Sequence, residues 1–333
     1  MGFLSYTDAD HVDIGVLQAA SLDLECGGED EDSNTFMLTL DRRGLVRIEP
    51  FAYVYVEGTE YGGMVTKYDT NTDPAIEALM YKGMTWHGMI NAKVIRADPG
   101  TDHLVVTGEA NSIIASILHR LDLDELFVAS TKSSGIQITN YQFDRHAYGY
   151  DGLRKMLDSV GAKLKLEYDG AHVVVWAEEI VDHSLSEAMD PSKIALQMSK
   201  DYLPVNHLVC LGTGEMEERI EIDLYADKSG NISRTQSLFG IMENAKKYDY
   251  SSAGYDELLE EGTKTLEEYQ LCDTTDTNLN DDTDYDIGDI VGSFDPDTGA
   301  LLKTAIHTKI VTIDSHGEIS VEYKNAGKAS DTY

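Results

Sequence analysis

The stretch Phe51–Ile95, FAYVYVEGTEYGGMVTKYDTNTDPAIEALMYKGMTWHGMINAKVI, limits what this chain can fold into more than any other. It opens with Tyr53, Tyr55 and Glu57 in one phase and Ala52, Val54 and Val56 in the other, the two-residue period of a half-buried strand. Gly58 and then Gly62-Gly63 punctuate it, Met64 to Tyr68 resumes the β pattern, and the TNTDP turn with Asp73-Pro74 breaks the ladder. Ile76, Ala78 and Met80 alternate again as far as Gly83. The spacing predicts a three-stranded antiparallel meander, followed by a short turn of helix around Met84 to Ile90.

A related pattern returns near the C-terminus in GDIVGSFDPDTGALLKTAIHTKIVTIDSHGEISVEYKNAG. Ile290–Phe294, Thr304–Ile313 and Ile319–Tyr323 read as its three strands, with a turn at His316-Gly317. The endings correspond: Met80-Tyr81-Lys82-Gly83 in the first copy matches Glu322-Tyr323-Lys324, closing on Gly327, in the second. The correspondence raises an internal duplication as a possibility that shapes the expected fold.

Before the first meander, Asn34–Leu40 and Leu45–Ile48 read as strands around an Asp41–Gly44 turn. After it the style changes. Asn111 is placed to cap a helix whose Ile113, Ile114, Ile117, Leu118 and Leu121 form one apolar stripe. A second helix, Gly152–Val160, turns Leu153, Met156, Leu157 and Val160 inward and ends at Gly161. Lys163–Tyr168 and His172–Ala177 then flank Asp169-Gly170, a strong hairpin signal. From about Asp190 the β character returns, with strands at Ile194–Met198, His207–Leu211 and Arg219–Tyr225 and a turn at Asp227–Gly230. One helix interrupts it, Ala253–Leu271, with Ser251-Ser252 as candidate caps. Cys272–Asp289, crowded with Asp, Asn and Thr, reads as a mobile loop. The chain is therefore expected to be α+β, mainly β, in three segments: β-rich 1–97, a small helix-and-hairpin domain at 98–187, and β-rich 188–333 with a helical insertion at about 253–271.

Charge narrows the function. Across 333 residues, 26 Lys and Arg stand against 60 Asp and Glu, a formal net charge of -34. Affinity for nucleic acid comes largely from Lys and Arg displacing counterions, so stable nucleic-acid binding is disfavoured. Cys26, Cys210 and Cys272 are odd in number and widely spaced, which supports neither a disulfide framework nor a CxxC metal site and fits a reducing compartment. Asp8, Asp10, His11 and Asp13 interrupt any apolar leader, no run reaches membrane length, and Tyr6 stands where a myristoylation signal wants Ser or Thr.

The candidate chemistry is thin. Asp282, Asp284 and Asp286 suggest a calcium loop, but Ile287 sits where an EF-hand needs glycine and Ser293 where it needs a bidentate glutamate. Gly212-Thr213-Gly214 begins like a dinucleotide loop, yet Glu217 replaces the third glycine in an acidic context. There is no HExxH, GxSxG or Walker lysine, and His172 with His183 is the nearest approach to a histidine pair. A glycosidase needs only two well-spaced carboxylates, and sixty acids make any one of them uninformative. Trp86, Trp176 and nineteen tyrosines could supply a sugar platform, although Trp176 in VVVWA reads as core and tyrosine on strands is ordinary β composition that also serves assembly interfaces. No catalytic, cofactor-binding or metal residue is assigned, and no cofactor is expected.

The ordered set NTFMLTL, EGTEYGG, YKGMTWHGMINAKVI, NSIIASIL, YDGLRKMLDSVGAKLKLEYDG, NHLVCLGTGE, YDELLEEGTKTLEEY and DYDIGDIVG resembles siphophage tail-tip (baseplate) hub proteins, including the N-terminal part of tail-associated lysins. The resemblance covers nearly the whole chain, and its motifs are structural. It implies two tail-tube-like β-barrels per subunit, at 1–97 and 188–333, with the α+β domain between them. It further implies a homotrimeric ring around a channel that DNA crosses without stable binding. The expected partners are the distal tail protein, the tail tube, the tape-measure protein and a tip fibre or receptor-binding protein. The expected location is the virion tail, with assembly in the bacterial cytoplasm and no membrane insertion. Tyr333 follows closely on the last meander, so the lytic domain of tail-associated lysins is not expected here.

Overall fold

The computed structural model describes residues 4–28, 33–41, 46–69, 78–184, 196–199, 201–270, 274–277, 284–294 and 301–325. The chain is mainly β with four α-helices among these residues. In order it forms β1 (Ser5–Thr7), β2 (Asp13–Val16), β3 (Ala20–Cys26), β4 (Thr35–Asp41), β5 (Tyr53–Tyr55), β6 (Gly62–Asp69), β7 (Ala78–Thr85) and α1 (Trp86–Asn91). Next come β8 (Val105–Glu109), α2 (Ala110–Arg120), β9 (Phe127–Ala129), β10 (Gln137–Gln142), α3 (Gly149–Asp158), β11 (Ala162–Tyr168) and β12 (Val173–Glu179). The remainder is β13 (Leu196–Ser199), β14 (His207–Leu211), β15 (Glu221–Ala226), β16 (Ile232–Ser233), β17 (Ala245–Asp249), α4 (Tyr255–Tyr269), β18 (Thr274–Thr277), β19 (Ile290–Phe294), β20 (Leu301–Ile313) and β21 (Ile319–Asn325).

These elements divide into two compact units, 1–194 with 278–291 and 305–326, and 195–277 with 292–304 and 327–333. The segments 1–97, 98–187 and 188–333 are thus not three consecutive bodies, because residues of the C-terminal meander return to the first unit.

The first unit carries a sheet in the order β19-β20-β3-β4-β7-β6-β5-β1-β2, with β21 also paired to β20. Both meanders expected from sequence lie in it. Alternation along β3 and β4 sends Leu22, Leu24, Phe36 and Leu38 to one core, and register places Ile313 beside Leu22 and Val311 beside Leu24, so β20 extends the same apolar rows. Gly83 lies opposite Phe36; a Cβ there would stand 2.6 Å from the Phe36 ring and 2.0 Å from the Met64 carbonyl oxygen, so only glycine admits this approach.

The half-buried strand expected at Tyr53 is buried on both faces. Val54 packs into the sheet's core, whereas Tyr53 and Tyr55 join Trp86 in a second core. That second core gathers the α2 stripe (Ile113, Ile114, Ile117, Leu118, Leu121), Leu153, Met156 and Leu157 of α3, and the inward faces of β11 and β12. Val160 is 40% exposed and does not join it. α3 runs Gly149–Asp158, and Gly161 follows in the left-handed region at φ 70°, the terminating role expected of it. α2 is capped by Glu109 and not by Asn111. Glu109 accepts the Ser112 N–H, while Asn111 is buried and spends its amide on the Lys132 carbonyl and the Ala177 N–H.

Three further readings change. Val46–Ile48 form no strand; Ile48 instead donates its N–H to the Tyr81 hydroxyl. α4 begins after Gly254 with no side-chain cap from Ser251 or Ser252. Within Cys272–Asp289, Thr274–Thr277 pair as a strand with β13 and Asp289 is 2% exposed, so this stretch is not simply a mobile loop. The TNTDP turn, Ile76, most of the Asp41–Gly44 turn, Ile194, Cys272 and Asp282 lie outside the described residues.

The second unit holds the sheet β16-β15-β14-β17, with β17 parallel to β14, and α4 laid on it. Leu258 and Leu266 bury against Leu208, Cys210, Ile222 and Leu224. Gly262 lets the helix approach so closely that a Cβ would meet the Cys210 sulfur at 2.6 Å. The Asp227–Gly230 turn forms as expected, with the Asp227 carboxylate accepting the Ser229 N–H.

Candidate functional site

The densest constellation of ionisable side chains in the first unit is buried, and it joins five separate pieces of chain. The loop between β5 and β6 contributes Glu60, α1 contributes His87, β11 contributes Lys163 and Lys165, the approach to β19 contributes Asp286 and Asp289, and β20 contributes Lys309. Strand alternation puts Lys309 on the row that would otherwise be apolar, and its side chain is 2% exposed. Its Nζ lies 2.7 Å from Glu60 and 3.4 Å from Asp286. Lys163, 3% exposed, donates to Asp286 at 2.9 Å and to Asp289 at 2.7 Å, and Lys165 closes on Asp286 as well. The second carboxylate edge is also occupied: Asp289 accepts the N–H groups of Val181 and Asp286, and His87 Nε2 approaches Glu60 at 3.3 Å.

Burial by itself would neutralise these groups, and mutual attraction reverses that. For Glu60, burial raises the pKa, but the Lys309 charge and the His87 contact outweigh it and hold the carboxyl well below its ordinary value. Asp286 behaves alike: the bonds from Lys165 and Lys163 overcome burial and bring it down to about 2. Lys309 and Lys163 are raised, their partners likewise outweighing burial. Lys163 and Lys309 stay charged and Glu60 and Asp286 stay ionised, so these four members of the cluster supply neither a general acid nor a neutral amine nucleophile near pH 7. Its chemistry is that of a clasp, in which charges from distant segments fix one another's positions. Cys26 lies beside it, and burial followed by the Glu60 charge pushes its thiol up, away from the reactive thiolate.

The residues singled out in the sequence fall as follows. Asp286 of the suspected calcium loop is ringed by three lysine ammonium groups, which take the place a cation would need, and Asp284 faces the Tyr323 hydroxyl at 3.4 Å. Among the described residues no group of three His, Cys, Asp or Glu could hold a metal ion. Gly212-Thr213-Gly214 turns its amides inward, with Gly212 N–H bonded to Ile220 and Thr213 N–H to Ala253, so it presents no phosphate cradle. His172 closes the Asp169 turn, while His183 stands 3.7 Å from Asp289 and edge-on to Tyr285. Trp86 is completely buried between Tyr53 and Tyr168. Trp176, expected in the core, is half-buried on the face of β12 opposite Val173, Val175 and Ala177. Sequence reasoning missed the clasp because its members are scattered from Glu60 to Lys309; the available signal was Lys309, a lysine in phase with Val311 and Ile313 on the inward row of its strand.

No helix among the described residues is long and apolar enough to cross a membrane. Sequence comparison finds no matching family model and no matching curated protein. Comparison of folds does find matches. A tail protein from Neisseria meningitidis MC58 superposes with a TM-score of 0.52 at 11% identity, over 99% of this chain and 96% of its own. The 43 kDa tail protein of prophage MuSo2 from Shewanella oneidensis gives 0.53 at 10% identity, over 99% and 100%. A chain of the phage P2 baseplate in its activated conformation with Ca gives 0.50 at 11%, over 98% and 99%. The fold is that of phage tail and baseplate proteins, along the full length of the chain.

Proposed function

We propose that this protein is a structural component of a phage tail tip, a hub that forms a homotrimeric ring continuing the tail tube and anchoring the tip components. One observation carries the reading: the fold matches phage tail proteins over 98–99% of this chain and 96–100% of theirs. The clasp supports it, since a part that must transmit load needs its segments fixed, and its lysines and acids are committed to one another. In this reading the sheets form the walls of tube-like barrels, the distal tail protein, tail tube, tape-measure protein and a fibre are the neighbours, and the virion tail is the location. No catalytic step is assigned.

The net charge of -34 gains a use if acids line the channel, because DNA would then meet a wall that repels it and would slide. Neutralising channel-facing acids should slow ejection; unchanged ejection kinetics would refute that role. The hub reading itself is tested by light scattering after size exclusion over a concentration series. A mass threefold that of the chain is expected. A monomer at every concentration, even with the distal tail protein added, overturns it.

A further inference from the structure

Two exposed apolar surfaces belong to none of the three cores. One is the loop between β16 and β17, where Phe239 is 64% exposed, Ile241 93% and Met242 43%. Large side chains so bare usually belong to floppy segments, yet this loop is anchored at both ends. Arg234 donates to the Asp223 carbonyl and to the Tyr255 hydroxyl, Asn206 donates to the Met242 carbonyl at 2.8 Å, and Asn244 bonds to Asn206 and Leu203. His207 finishes the anchor, its two ring nitrogens 2.6 Å from Glu243 and 2.9 Å from Asp223. The result is a preorganised apolar tip, the form in which docking costs least conformational entropy.

The other surface is the β1–β2 hairpin. β2 ends the order of the large sheet, all four of its residues are exposed, and Val12, Ile14 and Val16 are 59%, 54% and 50% exposed. Its turn is held by Asp8, which accepts the Asp10 and Val12 N–H groups, and by His11 stacked on Tyr53 at 3.9 Å.

Charge says what these surfaces meet. In a chain of net charge -34, two copies repel except where the local sign inverts. Along the loop segment it does invert: from 228 to 247 the chain carries Lys228, Arg234, Lys246 and Lys247 against Glu243, with Asp223 of β15 also in its anchor. The hairpin turn carries Asp8, Asp10 and Asp13 and no Lys or Arg. We propose that the Phe239–Met242 tip of one copy seats on the β1–β2 hairpin of the next copy, with Lys247 facing its aspartates. Two different patches that pair head to tail are what a rotationally closed ring requires. The contact rests on the ring reading and gives it a location.

The test uses the full chain in light scattering with four variants: Ile241→Asp, Lys247→Glu, Asp10→Lys, and Lys247→Glu combined with Asp10→Lys. Circular dichroism confirms that each folds, which the exposure of all three positions favours. Each single variant is expected to raise the concentration at which trimer forms at least tenfold, and the charge-swapped pair to recover most of that loss. Single variants that form trimers at wild-type concentrations overturn the contact and leave the ring reading standing, pointing to a foreign tail partner for these surfaces. A pair no better than its singles also overturns it. A wild type that never associates, with or without the distal tail protein, overturns the ring reading and this contact together.

Discussion

Replacing Lys309 by Met isolates what the buried clasp contributes. Methionine keeps the unbranched stem and fills the same space, so packing changes little and the ammonium is what disappears. Glu60, whose side chain is 12% exposed, then retains only His87 at 3.3 Å, while Asp286 keeps Lys163 and Lys165. Stranding one buried charge costs about 3–5 kcal/mol. Trp86 and Trp176 are the only two tryptophans and both lie in the first unit, so tryptophan fluorescence in urea follows that unit alone. With a slope of about 2–3 kcal/mol per molar urea, the midpoint should fall by about 1–2 M.

The pH dependence has a definite sign. In the wild type Glu60 titrates below its ordinary value, so its contribution is present above that value and is lost only as pH falls through the lowered one. Without Lys309, burial is opposed by the His87 contact with no lysine to add to it, and Glu60 rises, so the variant's penalty shrinks as acid protonates it. Adding Glu60→Gln removes the stranded charge and should restore most of the midpoint at pH 7. A shift under about 0.3 M for the single variant, worth less than about 1 kcal/mol, would refute the clasp. So would a double variant as unstable as the single.

Three further expectations follow from local geometry. Gly83→Ala forces a Cβ onto the Met64 carbonyl and the Phe36 ring, so the first unit should lose about 2–3 kcal/mol in the same fluorescence assay, and a loss under about 0.5 kcal/mol would count against the register described. Glu109→Ala removes the α2 cap and the anchor of Ser134, costing about 1–2 kcal/mol. Burial opposes the Glu109 charge but the Ser134 and Ser112 bonds outweigh it and bring its pKa down to about 2, so in acid-unfolding curves the gap to wild type should close between its ordinary 4.5 and that value. His207 is the reverse case: burial disfavours its charge, yet Asp223 and Glu243 outweigh burial and raise its pKa. The anchor it provides is complete below its ordinary pKa and is lost as pH rises through the raised one. Amide exchange in the loop 234–244, corrected for the intrinsic rate, should therefore speed up on the alkaline side, and His207→Gln should abolish the difference.

Local pattern carried the sequence reading where burial is one-sided, and failed where it is not. β14 falls on His207–Leu211 as expected, with Leu208 and Cys210 buried between half-exposed neighbours, and the α2 stripe is buried residue for residue. β5 follows the same alternation, yet both its phases are buried, because two cores flank it; a sequence cannot show how many layers cover a strand. Asn111 is the better cap by residue preference, but long-range backbone partners at Lys132 and Ala177 claim its amide, and Glu109 caps in its place. The clasp was invisible for the same reason: Glu60, Lys163, Asp286 and Lys309 become neighbours only when distant segments meet.

The two meanders carry the resemblance furthest, because their shared ending has a shared job. Tyr81 on β7 accepts the Ile48 N–H at 3.1 Å, and Tyr323 on β21 accepts the Tyr285 N–H at 3.1 Å. Ile48 precedes the start of β5 by five residues, and Tyr285 precedes the start of β19 by the same interval. In each meander, then, the third strand's tyrosine pins the chain entering the first, satisfying a buried backbone donor that the ladder cannot reach. Two unrelated meanders have no reason to solve that problem with the same side chain at the same interval. An internal repeat accounts for it. Tyr81→Phe and Tyr323→Phe should accordingly cost alike, about 1–3 kcal/mol each for the stranded N–H, and unequal losses differing by more than about 2 kcal/mol would break the equivalence.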